Sequence, residues 1–170
     1  MKLVISVRHL TVSITLVLAA FAACGDDPDD YDDDGDCVIG APGEGASCEC
    51  DGAECVCPSS GDCEILCLAA CDLQCAGSGN CEFDCGPDCD ASCTGSGNCD
   101  LEVGDGSTVA CTGSGDCDVT CEGDCRVQCP GSGTCVVRCA EGALCEFESC
   151  SSNVEECPLG VQVCGGGCPG

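Results

Sequence analysis

The amino-acid sequence predicts an all-β fold, a disulfide-cored flattened parallel β-solenoid built from coils of about 18 residues with two short strands in each. Three observations lead there. Cysteines recur every 18 residues at Cys63, Cys81, Cys99, Cys117 and Cys135, and the residues around them recur with them. Within each repeat, five-residue segments alternate Cys or aliphatic with polar residues, the period of a half-buried strand and not of a helix. Finally, the chain holds 27 Cys and 25 Gly in 170 residues but three Phe, one Tyr and no Trp. A conventional apolar core is out of reach with that composition, so covalent crosslinks must substitute for it.

Residues 1–23 read as a signal peptide, with a basic start at Lys2, Arg8 and His9 followed by the apolar run Leu10 to Ala23, which is short for a membrane span. The end of this run, Phe21-Ala22-Ala23-Cys24, resembles the lipobox of bacterial lipoproteins, with Phe where Leu is commoner. That resemblance implies diacylation of the Cys24 sulfur, export, and a lipid anchor in the bacterial cell envelope, expected at the outer membrane. The alternative is ordinary secretion with cleavage after an Ala. Parity favours the lipid, because removing Cys24 leaves an even number of cysteines able to pair completely.

Residues 24–36 form an acidic tether. Between Gly25 and Asp36 eight of twelve residues are Asp, and like charge at that density resists collapse. Asp30, Asp32 and Asp34 followed by Gly35 copy the opening of an EF-hand calcium loop, but the twelfth position is Ala41 and no helical pattern flanks it. Residues 37–47 are a linker, and the solenoid repeats are expected over 48–150.

Four units stand in register: residues 63–80, 81–98, 99–116 and 117–134. Each comprises Cys-x-apolar-x-Cys, a three-residue linker, a second such segment, and a turn of the form x-Gly-Ser-Gly-Asn/Asp/Thr. Glycine is expected in these turns for positive φ. The aliphatics Ile65 and Leu73, Phe83 and Ala91, Leu101 and Val109, Val119 and Val127 are expected to form a thin inward seam.

The third unit informs the crosslinks. Val103 and Ser107 replace both inner cysteines together, as a bond across the three-residue linker requires. The inner pairs are therefore Cys67–Cys71, Cys85–Cys89 and Cys121–Cys125, with Cys139–Cys145 across a longer linker. The outer cysteines are expected to close each coil as Cys63–Cys75, Cys81–Cys93, Cys99–Cys111, Cys117–Cys129 and Cys135–Cys150, and the first coil as nested Cys48–Cys57 and Cys50–Cys55. Cys37, Cys157, Cys164 and Cys168 stay unassigned, the last three in a Gly- and Cys-rich tail over 151–170. Loops of about 5 to 15 residues each contribute roughly 2 to 3 kcal/mol by restricting the unfolded chain.

The Cys spacing and the corners Gly77-Ser78-Gly79-Asn80, Gly95-Ser96-Gly97-Asn98, Gly113-Ser114-Gly115-Asp116 and Gly131-Ser132-Gly133-Thr134 resemble two families. These are the disulfide-laced solenoids of beetle antifreeze proteins and bacterial surface β-solenoids. Ice binding needs a flat array of exposed Thr, whereas the outward positions here hold Glu64, Leu66, Asp72, Gln74, Glu82, Asp84, Asp90 and Ser92.

Charge and composition narrow the function. The chain beyond Cys24 carries two Arg against 31 acids, with no His or Lys. Nucleic acid and anionic lipid headgroups are repelled by that field, and the usual general bases are missing, so an enzyme is not expected. In-register stacking would align Glu64, Glu82, Asp100 and Asp118, a ladder able to attract calcium, the one candidate cofactor. The expected role is a rigid structural or adhesion module of the cell envelope, held to the membrane through Cys24. The alternative is a metallothionein-like protein whose thiolates, for instance at Cys48-x-Cys50 and Cys55-x-Cys57, sequester soft metals. An oxidising envelope argues for disulfides over thiolates.

Overall fold

In the computed structural model, the described residues are 37–38, 46–50, 52, 54–57 and 60–170. The expected signal peptide over residues 1–23, Cys24, and Asp30, Asp32 and Asp34 lie outside them. The strands run β1 (Cys37–Val38), β2 (Ala46–Cys50), β3 (Glu54–Cys57), β4 (Cys63–Cys67), β5 (Asp72–Cys75), β6 (Cys81–Cys85) and β7 (Asp90–Cys93). They continue with β8 (Cys99–Val103), β9 (Ser107–Cys111), β10 (Cys117–Cys121), β11 (Cys125–Cys129), β12 (Cys135–Cys139), β13 (Cys145–Cys150), β14 (Val154–Glu156) and β15 (Val161–Cys164).

The predicted solenoid is what forms. The odd strands β1 to β13 make one parallel sheet and the even strands β2 to β12 make the other. Their register is the sequence repeat itself: Cys63 pairs with Cys81, Cys81 with Cys99, Cys99 with Cys117 and Cys117 with Cys135. The seam residues Ile65, Leu73, Phe83, Ala91, Leu101, Val109, Val119 and Val127 are all buried between the sheets. Columns of cysteine flank them on either side.

The inner disulfides are Cys67–Cys71, Cys85–Cys89, Cys121–Cys125 and Cys139–Cys145, as the third unit implied. Where that unit lacks the bond, Ser107 is buried and its hydroxyl accepts from the Cys89 amide at 3.1 Å and faces the Gly86 carbonyl at 3.5 Å. A hydrogen-bonded hydroxyl and the Val103 side chain thus fill the space that two sulfurs fill elsewhere.

The outer disulfides depart from expectation. They join each coil to the next across the glycine turn, as Cys57–Cys63, Cys75–Cys81, Cys93–Cys99, Cys111–Cys117 and Cys129–Cys135. These replace Cys48–Cys57, Cys63–Cys75, Cys81–Cys93, Cys99–Cys111, Cys117–Cys129 and Cys135–Cys150. The third unit keeps both Cys99 and Cys111, so it is silent on the outer pairing. Each such cysteine faces two stacked partners, one before and one after it in sequence. The turn places Cys75 and Cys81 with Cα atoms 6.3 Å apart, within disulfide reach, and closes a loop of six residues where the within-coil pairing would close twelve. Cys50–Cys55 depends on the Cys50 side chain, which lies outside the described residues.

The glycine turns also work differently from the expectation. Positive φ occurs at Gly52, Ala70, Asp88 and Gly106, one column at the opposite edge, in the linker between the two strands of a coil. The four Gly-Ser-Gly corners have none of it, although Gly61, in the Ser60-Gly61-Asp62 turn that precedes them, does. Their glycines are needed because the coils stack backbone on backbone. A Cβ on Gly79, Gly97, Gly115 or Gly133 would lie 1.6 to 1.9 Å from the carbonyl oxygen of the glycine one coil earlier. Stacking distance, not dihedral freedom, excludes side chains here.

The C-terminal segment turns back. After Cys150, β15 pairs antiparallel with β12 and β14 pairs antiparallel with β15, extending the even sheet. Cys150–Cys164 and Cys157–Cys168 fasten this cap. It covers an otherwise unpaired edge of the kind that invites association.

Two substitutions should therefore move stability in opposite directions. Gly97→Ala is expected to cost about 3 kcal/mol or more through overpacking against backbone. Ala70→Gly, at an exposed positive-φ position, should gain roughly 0.5–1 kcal/mol, since an L side chain in the left-handed region costs about 1–2 kcal/mol and glycine's extra unfolded-state entropy offsets part of it. Denaturant midpoints measured without reductant check both.

Candidate functional site: a carboxylate ladder beside an Asx column

The even sheet turns one side of every second residue outward, and parallel in-register pairing puts equivalents of successive coils side by side. Glu64 pairs with Glu82, Glu82 with Asp100, and Asp100 with Asp118. The ladder read from the sequence therefore exists as a column, with neighbours at the strand spacing of about 4.8 Å. Glu64, Glu82 and Asp100 are exposed and Asp118 is half-buried.

Beside this column runs a second one that the sequence reading treated only as turn residues. Asp62, Asn80, Asn98, Asp116 and Thr134 end successive corners. The side-chain oxygen of each of the first four accepts a hydrogen bond from the backbone amide one coil later: the Asn80 amide donates to Asp62 at 3.0 Å, Asn98 to Asn80 at 3.1 Å, Asp116 to Asn98 at 3.0 Å and Thr134 to Asp116 at 2.8 Å. The Asn80 side-chain amide also donates to Asp62 at 3.1 Å. The signal was present in the repeat: its last position is Asn, Asn, Asp and Thr, three of the four carrying a carbonyl or carboxylate oxygen two bonds beyond Cβ. Every residue in the chain of acceptors is Asx because only that geometry reaches the next amide.

The two columns line a shallow groove together with Cys63, Cys81, Cys99, Cys117, Thr134 and Val136. Six carboxylates border it: Asp62, Glu64, Glu82, Asp100, Asp116 and Asp118. Arg138 closes the ladder, its guanidinium paired with Asp118. The other Arg of the repeat region, Arg126, stands on the odd sheet and approaches Glu148 at 3.7 Å.

Sequence reading missed two further acidic stacks. Glu54 pairs with Asp72 and Asp72 with Asp90 on the odd sheet, and Asp84 pairs with Glu102 on the even one. Both become visible once the 18-residue register is applied to every outward position rather than to the first alone.

Chemically the groove offers hard oxygen ligands in a row and little else. Two adjacent carboxylates 4.8 Å apart repel by about 0.9 kcal/mol in water, less in salt. The fold tolerates this because strand pairing and disulfides fix the spacing. The sulfur triads Cys67, Cys85 and Cys89, or Cys121, Cys125 and Cys145, come within 4.8 Å of one another, but their members are joined in disulfides and offer no thiolate in that state.

No protein-family model, curated protein or solved structure matches this chain.

Repulsion along the ladder predicts a salt response. The thermal midpoint should rise by a few degrees between 10 and 150 mM sodium chloride, and Glu82→Gln with Asp100→Asn should flatten that rise. Asn98→Ala removes the acceptor for the Asp116 amide and should cost about 1–2 kcal/mol in the same melts.

Proposed function

We propose that the chain is a non-enzymatic, lipid-anchored module of the bacterial cell envelope, in which a disulfide-stabilised solenoid serves as a rigid structural or adhesive element on an acidic tether. The observation that carries this reading is the density of crosslinks. Eleven disulfides join the described residues, and nine of them close loops of only four or six residues. Short loops contribute roughly 2 kcal/mol each, and their number implies an oxidising destination. The lipobox-like Phe21-Ala22-Ala23-Cys24 supplies the anchor, and outward faces rich in Asp and Glu keep the particle soluble and free of non-specific contacts.

Weak calcium binding along the groove belongs to the same reading. Glu64, Glu82, Asp100 and Asp118 supply hard oxygen ligands at close spacing, the chemistry that calcium selects, and a bridging divalent ion removes the repulsion between them. The Asp30, Asp32 and Asp34 loop is a second, independent place for such an ion.

Fractionation and mass measurement test the proposal. The wild-type chain should partition with the membrane, and Cys24→Ser should move it to the soluble exported fraction. Protein from its own envelope should weigh about 26 Da less before reduction than after it, beyond the lipid, as complete pairing of the cysteines after Cys24 requires. Mostly free thiols, with metal adding to the mass, would instead establish the thiolate-sequestering alternative. For calcium, the thermal midpoint should rise at millimolar concentration in physiological salt, and the gain should vanish in Glu82→Gln with Asp100→Asn; no shift in the wild type removes the cation site.

A further inference from the structure

The outer disulfides form a column in which three successive bonds lie close together. The Cys117 sulfur lies within 4.8 Å of both sulfurs of Cys93–Cys99, and the Cys111 sulfur, bonded to Cys117, lies within 4.8 Å of both sulfurs of Cys129–Cys135. Three bonds on three coils thus follow one another with sulfurs no more than 4.8 Å apart. All six cysteines are buried, none more than 6% exposed, so external thiols have little access while internal sulfurs are held together.

We propose that this column is a thiol–disulfide exchange relay, along which a single thiol introduced at one end migrates through the core without any net oxidation or reduction. Exchange requires a thiolate near a disulfide sulfur and a leaving thiolate on the far side. Suppose Cys129 is free. Its thiolate attacks the Cys111 sulfur; the Cys111–Cys129 bond forms, the Cys111–Cys117 bond breaks, and the electron pair leaves on Cys117. The Cys117 thiolate then attacks Cys99; Cys99–Cys117 forms, Cys93–Cys99 breaks, and Cys93 carries the thiolate. One disulfide is made for each one lost at both steps, and one proton follows the thiol from Cys129 to Cys93.

The fold accommodates the products. Cys99 and Cys117 are register partners on neighbouring parallel strands, and Cys111 and Cys129 end the neighbouring strands β9 and β11. Strand spacing of about 4.8 Å lies within the Cα separations a disulfide spans. New bonds can therefore form along the sheet where the original ones run across the turn. The loss of one sulfur from a bond in the three coils need not stay a local lesion, since the thiol left without its partner can be handed to the end of the column.

The inference is independent of the proposed envelope role. Its test uses the full chain carrying Cys135→Ser, which leaves Cys129 without its partner. After incubation at pH 8.5 the sample is quenched in acid, unfolded, labelled with N-ethylmaleimide and mapped by fragmentation mass spectrometry. The label is expected at Cys117 and Cys93 as well as Cys129, in proportions that shift over hours and shift more slowly at pH 6.5, where less thiolate exists. A label confined to Cys129 after a day overturns the relay. Entry from the other end keeps the test open if that variant folds poorly: Cys93→Ser frees Cys99, and the label should reach Cys111 and Cys135. Adding Cys111→Ser and Cys117→Ser to Cys135→Ser should trap the thiol at Cys129. Label at Cys93 in that background, or label spread equally over the inner pair Cys121 and Cys125 in any variant, would mean general scrambling and would also refute the proposal.

Discussion

Every feature of this molecule depends on the superposition of one coil on the next at a period of 18 residues. Parallel strand pairing sets the separation between coils, and at that separation each residue meets its own counterpart. The pairing of Cys63 with Cys81, Glu64 with Glu82 and Ile65 with Phe83 is the same event seen at three adjacent positions. One becomes crosslink, one becomes charged surface and one becomes core. The interior is only a few side chains thick, so hydrophobic burial alone would be small for a chain of this length. Sulfur supplies the remainder by limiting the unfolded ensemble instead of enlarging the buried area.

Superposition also decides which residues are tolerated at the corners. Where backbone lies on backbone there is no room for a methyl group, which accounts for Gly79, Gly97, Gly115 and Gly133. Where an amide points along the stack with no strand partner to receive it, an Asp or Asn of the preceding coil accepts it. The corner is thus held by hydrogen bonds between coils and not by a turn type within one coil. This differs from the role of glycine in an isolated hairpin, where dihedral freedom is what matters.

Much of this was legible in the sequence, because a repeat reports its own register. The two-strand coil, the inward seam, the inner disulfides and the Glu64 to Asp118 ladder follow from spacing and from the joint loss of two cysteines at Val103 and Ser107. The outer disulfides were not legible. Cys75 has equivalent neighbours before and after it, the four units over 63–134 all keep both outer cysteines, and the choice is made by how the turn brings Cys75 to Cys81. The Asx column escaped notice for a related reason, since a residue read as serving its own turn in fact serves the next one. The cap was hidden because β14 and β15 lie outside the repeat and their pairing is antiparallel, a relation that no periodicity announces.

The reversal of β15 against β12 has a consequence for size. A parallel stack has no intrinsic length, and its last rung can template another copy as readily as another coil. An antiparallel strand fastened by Cys150–Cys164 ends the parallel run of the even sheet, so the extent of the stack is written in the number of units that precede that closure. Gain or loss of one 18-residue unit within the array would change its reach by a single rung, about 4.8 Å. Duplication within the gene could then tune how far the domain projects while leaving both ends untouched.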